Sequence, residues 1–220
     1  MTITLEEFLE GVNKQPTDIW GLKYFPDISK IYDNDNENPI IDQDGKVFPE
    51  ISDCNRDVVK TVIHSFGGNL KSIMEIGVHR SESNGDDTFT SIFLKEKPQH
   101  CIYIGIDLGN KSFLDDKDNN IFTLECNSIE QDRVRNFLKK NNVDKLDILS
   151  IDGYHSVNMT VNDWKYADLL SDNGVVIIHD TNYHPGDVVM PYAVDENIFE
   201  ITKHCLGSDC GIAVFKKRQS

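Results

Sequence analysis

Two hydrophobic patterns alternate along most of the chain from Ser52 onwards. Short, continuously apolar runs predict buried strands, and stretches in which apolar residues recur every three or four positions predict amphipathic helices. The predicted strands are SIMEI (72–76), CIYIGID (101–107), IFTLE (121–125), LDILSID (146–152) and GVVIIHD (174–180). The predicted helices span 52–66, 86–96, 129–140 and 157–170, with Ser52 as an N-cap and Gly174 after the exit of the last helix.

Strands that alternate with helices are typical of a mainly parallel sheet covered on both faces. The tail breaks this alternation, because NIFEITKHC (197–205) and GIAVFKK (211–217) predict two adjacent strands joined by LGSDC without a helix. The predicted fold class is therefore α/β. We expect a Rossmann-like three-layer sandwich with a mainly parallel seven-stranded sheet and a C-terminal antiparallel β-hairpin.

Residues 1–50 differ in character from the remainder of the chain. TLEEFLEGV predicts a short helix, DIWGLKYFPDISKIY mixes aromatic residues with proline, and DNDNENPIIDQDGKVFPE is polar and rich in turn-forming residues. We interpret 1–50 as an N-terminal extension, irregular and helical, that either covers a pocket as a lid or pads the core. Residues 51–220 form the main predicted domain.

Composition narrows the classes of partner and compartment. The chain has 220 residues and a formal net charge of −15, which argues against a nucleic-acid partner, since binding to phosphates requires clustered Lys and Arg. Its five cysteines are scattered without a C-x-x-C pair, which disfavours a disulfide framework or a zinc knuckle. No signal peptide or membrane-length apolar run is evident. We expect a cytoplasmic protein that acts on a small-molecule substrate and does not bind membranes. The composition is compatible with a homo-oligomer.

Four predicted parallel strands finish in, or just before, an acidic residue: Glu75, Asp107, Asp152 and Asp180. The carboxyl ends of parallel strands lie at one edge of an open α/β sheet, where ligands bind. Each residue alone is as compatible with a helix cap or a turn as with a site. Four together favour a site that could hold a divalent metal.

Four segments carry a resemblance to a known family: MEIG (74–77), GIDLGNKS (105–112), CNS (126–128) and LDILSIDGYHS…LLSDNGVVIIHDT (146–181). They resemble successive motifs of the class I S-adenosylmethionine-dependent methyltransferases, and the terminal hairpin is similar to that family's reversed seventh strand. The most similar branch has the pattern I-D-G-x-H-S, a helix, and then G-G-x-x-x-x-H-D-T. It includes metal-dependent sugar and macrolide O-methyltransferases and cephalosporin-hydroxylase-like proteins.

The resemblance implies an enzyme that transfers a methyl group from S-adenosylmethionine, with a hydroxyl of a sugar or small metabolite as the expected acceptor. Asp152, His179 and Asp180 would hold a divalent cation, Mg²⁺ or Mn²⁺. His155 would be the general base, acting with Asp152. The residues implied in cofactor binding are Glu75, Gly77, Asp107, Asn127 and Ser128.

The chain departs from the family pattern at two points. The first motif usually continues as E-x-G-x-x-x-G, but Ser81 stands at the second glycine position and the next glycine is Gly85. His179 replaces the first of two adjacent acidic residues found in some relatives, and an imidazole suits Mn²⁺ or Fe²⁺ better than Mg²⁺. His184 is followed by Pro185-Gly186, which we interpret as a turn.

Three alternatives stay open from the sequence. A non-catalytic protein could retain this fold, and the hydroxylase-like branch shares the fold without necessarily sharing the reaction. An NAD-linked oxidoreductase would need G-x-G-x-x-G after the first strand, and EIGVHRSES does not supply it.

Overall fold

A computed structural model of the chain describes residues 2–33, 35–41, 52–78, 88–204 and 209–219. The helices are α1 (Leu5–Gly11), α2 (Asp53–Ser65), α3 (Phe89–Glu96), α4 (Gln131–Lys140), α5 (Val157–Trp164) and α6 (Pro185–Ala193). The strands are β1 (Asn13–Gln15), β2 (Phe25–Asp27), β3 (Ser72–Ile76), β4 (Ile102–Asp107), β5 (Ile121–Glu125), β6 (Leu146–Ile151), β7 (Leu170–His179), β8 (Phe199–His204) and β9 (Ile212–Lys217).

The main sheet has seven strands in the order β5-β4-β3-β6-β7-β9-β8. The first five strands are parallel, whereas β9 is antiparallel to both β7 and β8. Ile76 pairs with Ile106 on one side and with Ile151 on the other, so the carboxyl ends of the three central strands are aligned. The predicted α/β fold and C-terminal antiparallel hairpin are confirmed. Since the strand order reverses beside β3, the crevice between β3 and β6 is the expected ligand position.

Two hydrophobic clusters cover the two faces of this sheet, as the three-layer prediction requires. Met74 and Ile76 contribute to the cluster that contains α4, α5 and α6, while Ile73 contributes to the cluster that contains α2 and α3. The alternation along β3 follows from the two-residue period of a strand, which sends successive side chains to opposite faces. In the described parts of the chain, no helix is long and apolar enough to cross a membrane.

The extension at the N-terminus packs against the main domain. Thr4 caps α1 with a full capping box, which confirms the predicted short helix. Phe8, Ile28 and Ile40 are completely buried in the cluster that also contains α5 and α6. The indole Nε1 of Trp164 donates a hydrogen bond to the carbonyl of Trp20 at 3.0 Å. The described part of this segment therefore contributes to the core.

The structure corrects two predicted boundaries. The predicted helix 157–170 ends at Trp164 and continues as a 3-10 turn, and β7 begins at Leu170 rather than at Gly174. The pairing of β7 with β6 shifts register between Leu146 and Ile148, where β7 has additional residues that include the polar residues 171–173. A local hydrophobic pattern cannot reveal such an irregularity, since it depends on pairing with a distant strand.

Helix α6 was not predicted, and the interpretation of Pro185-Gly186 as a turn was wrong. Pro185 occupies the first turn of α6, where its missing N–H has no intrahelical partner to lose. Val188, Val189 and Met190 are all completely buried. A helix that is apolar on all sides lacks the three-to-four residue period that identifies an amphipathic helix.

Candidate active site

A cavity of about 570 Å³ opens at the carboxyl edge of the sheet, around the point where the strand order reverses. Its size lies within the range of small-molecule sites, roughly 300–1,000 Å³. All four strand-end carboxylates line it, as expected from the sequence: Glu75, Asp107, Asp152 and Asp180. The other predicted site residues, Gly77, Asn127, Ser128, His155 and His179, line the same cavity.

Gly77 allows β3 and β6 to approach each other closely at the cavity wall. Its φ is +85°, and a Cβ atom at this position would lie 1.9 Å from the carbonyl oxygen of Asp152. The N–H of Asp152 donates to the carbonyl of Ile76 at 2.9 Å, which holds the two segments together. Glycine is therefore required here both by the backbone conformation and by the contact.

Asp107 orders the loop that follows β4. Its Oδ2 accepts a hydrogen bond from the N–H of Val78 at 3.0 Å, and its Oδ1 accepts one from the N–H of Gly109 at 2.7 Å. Lys111 Nζ lies 3.9 Å from Oδ1. These contacts hold the carboxylate in one orientation at the cavity wall.

Asn127 and Ser128 form the wall beyond β5. The side-chain oxygen of Asn127 accepts from the N–H of Ile129 at 3.1 Å, so it shapes its own turn. Ser128 is buried and hydrogen-bonds the carboxyl group of Asp163 on α5. Burial raises the pKa of Asp163 to about 7, although the bond from Ser128 opposes the shift. The sequence pattern does not mark Asp163 as a site residue, because an acidic residue inside a helix is usually exposed.

Glu75 lies at the floor of the cavity and is 1% exposed. Burial raises the pKa of its carboxyl group to about 8, and a hydrogen bond from the Tyr103 hydroxyl only partly offsets this effect. The side chain is therefore mostly protonated at neutral pH. Its position differs from that of the other three strand-end carboxylates, since it is packed beneath the cavity rather than presented at its rim.

His179 lies between the carboxylates at the ends of β6 and β7. Its Nδ1 is 3.3 Å from Oδ1 of Asp152 and 3.5 Å from Oδ1 of Asp180. Burial alone would lower the pKa of His179, but Asp180 and Asp152 outweigh burial and raise it to about 9. Asp180 has a φ of +57°, a conformation that is uncommon and strained for a residue with a side chain. Such strain is often found at functional sites.

His155 is held between two carboxylates. Its Nδ1 lies 2.8 Å from Oδ2 of Asp187, and its Nε2 lies 3.4 Å from Oδ2 of Asp180. Burial lowers the pKa of His155, but Asp187, Asp180 and Asp152 more than offset it and raise it to about 10. The ring stacks on that of His184, with centroids 4.4 Å apart. Burial and the charge of His155 lower the pKa of His184 to about 4, so this second ring is neutral.

Besides Asp163, the structure brings into the site three residues outside the predicted set: His184, Asp187 and Cys210. His184 is the N-cap residue of α6, and its Nδ1 lies within hydrogen-bond distance of the carbonyl of Glu37 from the N-terminal extension. Asp187 lies in the first turn of α6, the helix that the hydrophobic pattern missed. The Cys210 thiol is buried beside Asp180.

Among the described residues, two sets of possible ligand atoms lie within 4.8 Å of one another. One contains His155, Asp180 and His184, and the other contains His179, Asp180 and Cys210. Of the predicted metal ligands, His179 and Asp180 belong to the second set, whereas Asp152 belongs to neither set and lies 3.3 Å from Nδ1 of His179. The altered glycine motif with Ser81 and Gly85 lies outside the described residues.

No family model matches the chain, and no curated protein matches it. A solved structure of the MycE methyltransferase from the mycinamycin biosynthetic pathway, in complex with Mg, SAH and mycinamycin VI, matches with a TM-score of 0.56 at 14% identity, over 78% of this chain and 51% of that chain. A second MycE structure, with Mg and SAH, has a TM-score of 0.54 at 14% identity, over 74% and 49%.

The apo structure of CalS11, a TDP-rhamnose 3'-O-methyltransferase of calicheamicin biosynthesis, has a TM-score of 0.52 at 11% identity, over 79% of this chain and 89% of that chain. The chain spans about half the length of the MycE structures. These identities are low, and the likeness is one of fold. The chain has the Rossmann-like fold of S-adenosylmethionine-dependent methyltransferases.

Proposed function

We propose that this protein transfers a methyl group from S-adenosylmethionine to a hydroxyl of a sugar or another small metabolite. The observation that carries the proposal is the division of one cavity into two chemically different halves. The half at β3, β4 and β5 is lined by Gly77, Asp107, Asn127 and Ser128, and the half at β6 and β7 is lined by carboxylates and imidazoles. A reaction between a nucleoside cofactor and a hydroxyl acceptor needs these two environments side by side.

The first half suits the adenosyl cofactor. Gly77 leaves its backbone accessible where a side chain would obstruct the methionine part. Asp107 has both oxygens ordered by the N–H groups of Val78 and Gly109, and a carboxylate has about four acceptor positions, so it can still accept hydrogen bonds from ribose hydroxyls. Asn127 and Ser128 are the proposed contacts to adenine.

The second half suits a divalent cation. The proposed ligands are Asp152, His179 and Asp180. The Nδ1 of His179 lies 3.3 Å from a carboxylate oxygen of Asp152 and 3.5 Å from one of Asp180. Carboxylate oxygens and imidazole nitrogens are the usual ligands of divalent metals, and the buried carboxylate of Asp180 together with the partly exposed one of Asp152 favours a positive charge between them. Once bound, a cation would lower the pKa of the acceptor hydroxyl and offset the negative charge that holds a proton on His155.

His155 is the proposed general base. Asp187 bonds to Nδ1, which fixes the ring and leaves Nε2 on the side of Asp180 and the cavity. Neutral His155 can accept the hydroxyl proton at Nε2, and the developing imidazolium is then stabilised by Asp187. The neutral ring of His184 packs against His155 and excludes water from one face.

The structural neighbours support this choice of reaction. CalS11 is an O-methyltransferase of a TDP-sugar, and MycE was crystallised with Mg and SAH. The N-terminal extension supplies Glu37 to the cavity lining, which supports the proposal that residues 1–50 cover part of the site.

Calorimetry with S-adenosylhomocysteine and NAD⁺ tests the cofactor. We expect S-adenosylhomocysteine to bind and NAD⁺ not to bind. A radiolabelled methyl-transfer assay with a panel of nucleotide sugars and hydroxylated metabolites, with and without EDTA, then tests acceptor and cation. Binding of NAD⁺ alone would replace the proposal with an oxidoreductase, and failure of both ligands to bind would indicate a non-catalytic protein.

A further inference from the structure

We propose that Cys210 is a ligand of the cation and that the site selects a transition metal that accepts sulfur and nitrogen, of the Zn²⁺, Co²⁺ and Fe²⁺ class, over Mg²⁺. The proposal deepens the proposed function, because it concerns the cation expected at Asp152 and Asp180. It rests on the geometry around His179, which involves two residues that the sequence motifs do not include, Cys210 and Asn55.

The first observation is the compact set formed by His179, Asp180 and Cys210. Their ligand atoms lie within 4.8 Å of one another, and the three residues are only 4%, 7% and 2% exposed. Strand pairing brings them together, since His179 at the end of β7 pairs with Ile212 at the start of β9. Cys210 precedes β9 and therefore lies beside the carboxyl end of β7. The N–H of Asn182 donates to the Cys210 carbonyl at 3.0 Å and holds the segment in place.

The second observation is a buried amide aimed at the other nitrogen of His179. Asn55 of α2 is completely buried, and its Nδ2 lies 3.3 Å from His179 Nε2. Its Oδ1 has no hydrogen-bond partner among the described residues. A half-turn of the amide would bring Oδ1 to Nε2, where it would accept the Nε2–H, and would place Nδ2 where Oδ1 now lies.

The orientation of the Asn55 amide is linked to which nitrogen of His179 can bind a metal. When Nε2 carries the hydrogen, Nδ1 has a free electron pair, and Nδ1 is the atom that faces Asp152 and Asp180. Imidazole ligands of metals almost always donate their second N–H to an acceptor of this kind. Asn55 is thus a positioning residue for His179, which acts through the ring and not on the substrate.

The other compact set, His155, Asp180 and His184, is less suited to one ion. The two rings are stacked with an interplanar angle of 18°. Electron pairs in the planes of two stacked rings run side by side instead of converging on a common point. His155 therefore remains the proposed base, and Asp180 contributes to the cation site together with His179 and Cys210.

The ligand types decide the metal class. Mg²⁺ is bound almost entirely by oxygen and keeps several waters. Thiolate and imidazole ligands favour Zn²⁺ and related transition metals, with geometry and availability selecting among them. Binding releases the thiol proton of Cys210, because the thiolate is the metal ligand.

The experiment titrates the metal-free full-length protein with Co²⁺ and, separately, with Mg²⁺, without any methyl donor. Co²⁺ bound by a cysteine thiolate gives a charge-transfer absorption band in the near ultraviolet. We expect this band in the wild type, its loss in Cys210→Ser, and its retention in Cys101→Ala, whose thiol is buried at the opposite end of the sheet. We also expect Co²⁺ to bind at least tenfold more tightly than Mg²⁺.

Asn55 is tested by the same titration. We expect Asn55→Ala to weaken Co²⁺ binding roughly 10- to 100-fold while the band persists at saturation, as for other residues that orient a ligand. Asn55→Asp retains an acceptor oxygen and should restore most of the affinity. A purely structural role for Asn55 would lower the stability of both variants without this difference in affinity.

Three results would overturn the proposal: no thiolate band in the wild type, a band that survives Cys210→Ser, or tighter binding of Mg²⁺ than of Co²⁺. Calorimetry with S-adenosylhomocysteine is run on the same samples to separate the two proposals and to verify folding. Cofactor binding without the thiolate band removes the cysteine ligand and leaves the proposed methyl transfer intact. The thiolate band without cofactor binding supports the cysteine ligand and removes the proposed methyl transfer.

Discussion

The Nδ1 of His155 and the Oδ2 of Asp187 lie 2.8 Å apart, and both side chains are almost completely buried. Asp187 also lies 3.3 Å from the hydroxyl of Thr160, so its second oxygen has a partner. Helix α6 therefore supplies the carboxylate that holds the ring of His155, which follows β6. The pair joins two elements at the site and is expected to matter for stability as well as for activity.

Replacing Asp187 by alanine should destabilise the protein strongly. The change leaves the imidazole of His155 buried without its nearest carboxylate, and breaking a buried ion pair costs about 3–5 kcal/mol. Urea unfolding at neutral pH measures the loss. Asp187→Asn keeps an acceptor oxygen and should lower the free energy of unfolding by less than Asp187→Ala.

The matched control is the exposed pair between Arg135 and Asp168, 3.0 Å apart. Asp168→Ala should change the free energy of unfolding by less than about 1 kcal/mol, because surface pairs contribute little. Similar losses for Asp187→Ala and Asp168→Ala would mean that the buried pair does not stabilise the fold.

Two glycines with positive φ separate the effect of backbone strain from that of close contact. Gly67 has a φ of +53°, and a Cβ atom there would have no described atom within 4 Å, whereas a Cβ at Gly77 would meet the carbonyl of Asp152. We expect Gly67→Ala to cost roughly 1–2 kcal/mol from conformation alone. Gly77→Ala should cost more and should also abolish S-adenosylhomocysteine binding, since β3 and β6 must separate.

Urea unfolding and calorimetry on the two variants check this difference. An equal loss of stability, with cofactor binding retained in both, would show that the contact at Gly77 is unimportant.

Local patterns were sufficient to predict the parallel strands and the edge where the acidic residues gather. The apolar runs of β3, β4 and β6 are buried and end beside one another, so the residues that follow each strand share one cavity. The positions of Asp107 and Asp152 at the ends of their strands were enough to predict that both residues line the cavity. The proposed roles of these residues stay predictions.

Contacts that depend on distant pairing could not be predicted in this way. Cys210 reaches His179 only through the antiparallel register of β7 and β9, and Asn55 reaches it from a helix 124 residues earlier. Asp187 was missed for a different reason, because its helix is buried on nearly all sides and begins with proline. Neither register nor helix packing leaves a short-range signal in the sequence.

Glu75 makes stability depend on pH. Its pKa is raised to about 8 in the folded protein from an ordinary value of 4.5, so the folded state holds the proton more tightly than the unfolded state. The stabilisation is complete below about pH 4.5 and is lost as pH rises towards 8, by up to about 1.4 kcal/mol per pH unit. Glu75→Gln imitates the protonated side chain and lacks this dependence.

Urea unfolding of wild type and Glu75→Gln at several pH values between 5 and 9 tests the assignment. The difference between the two proteins isolates Glu75 from the other titrating groups, and it should shift in favour of the variant as pH rises. Parallel curves would mean that Glu75 is ionised in the fold.

Asp107 and Asp152 should separate cofactor binding from metal dependence. Asp107→Ala removes the proposed acceptor for the ribose hydroxyls, and the loss of hydrogen bonds to a charged group should weaken S-adenosylhomocysteine binding by about 10- to 100-fold. Asp107→Asn keeps the size of the side chain but retains only one acceptor oxygen for the N–H groups of Val78 and Gly109, so urea unfolding of both Asp107 variants is the control for the fold. Asp152→Ala should retain cofactor affinity and lose the response of activity to added metal. Calorimetry and methyl transfer with and without EDTA measure the two effects, and equal cofactor affinity in Asp107→Ala, Asp152→Ala and wild type would count against the division of the cavity.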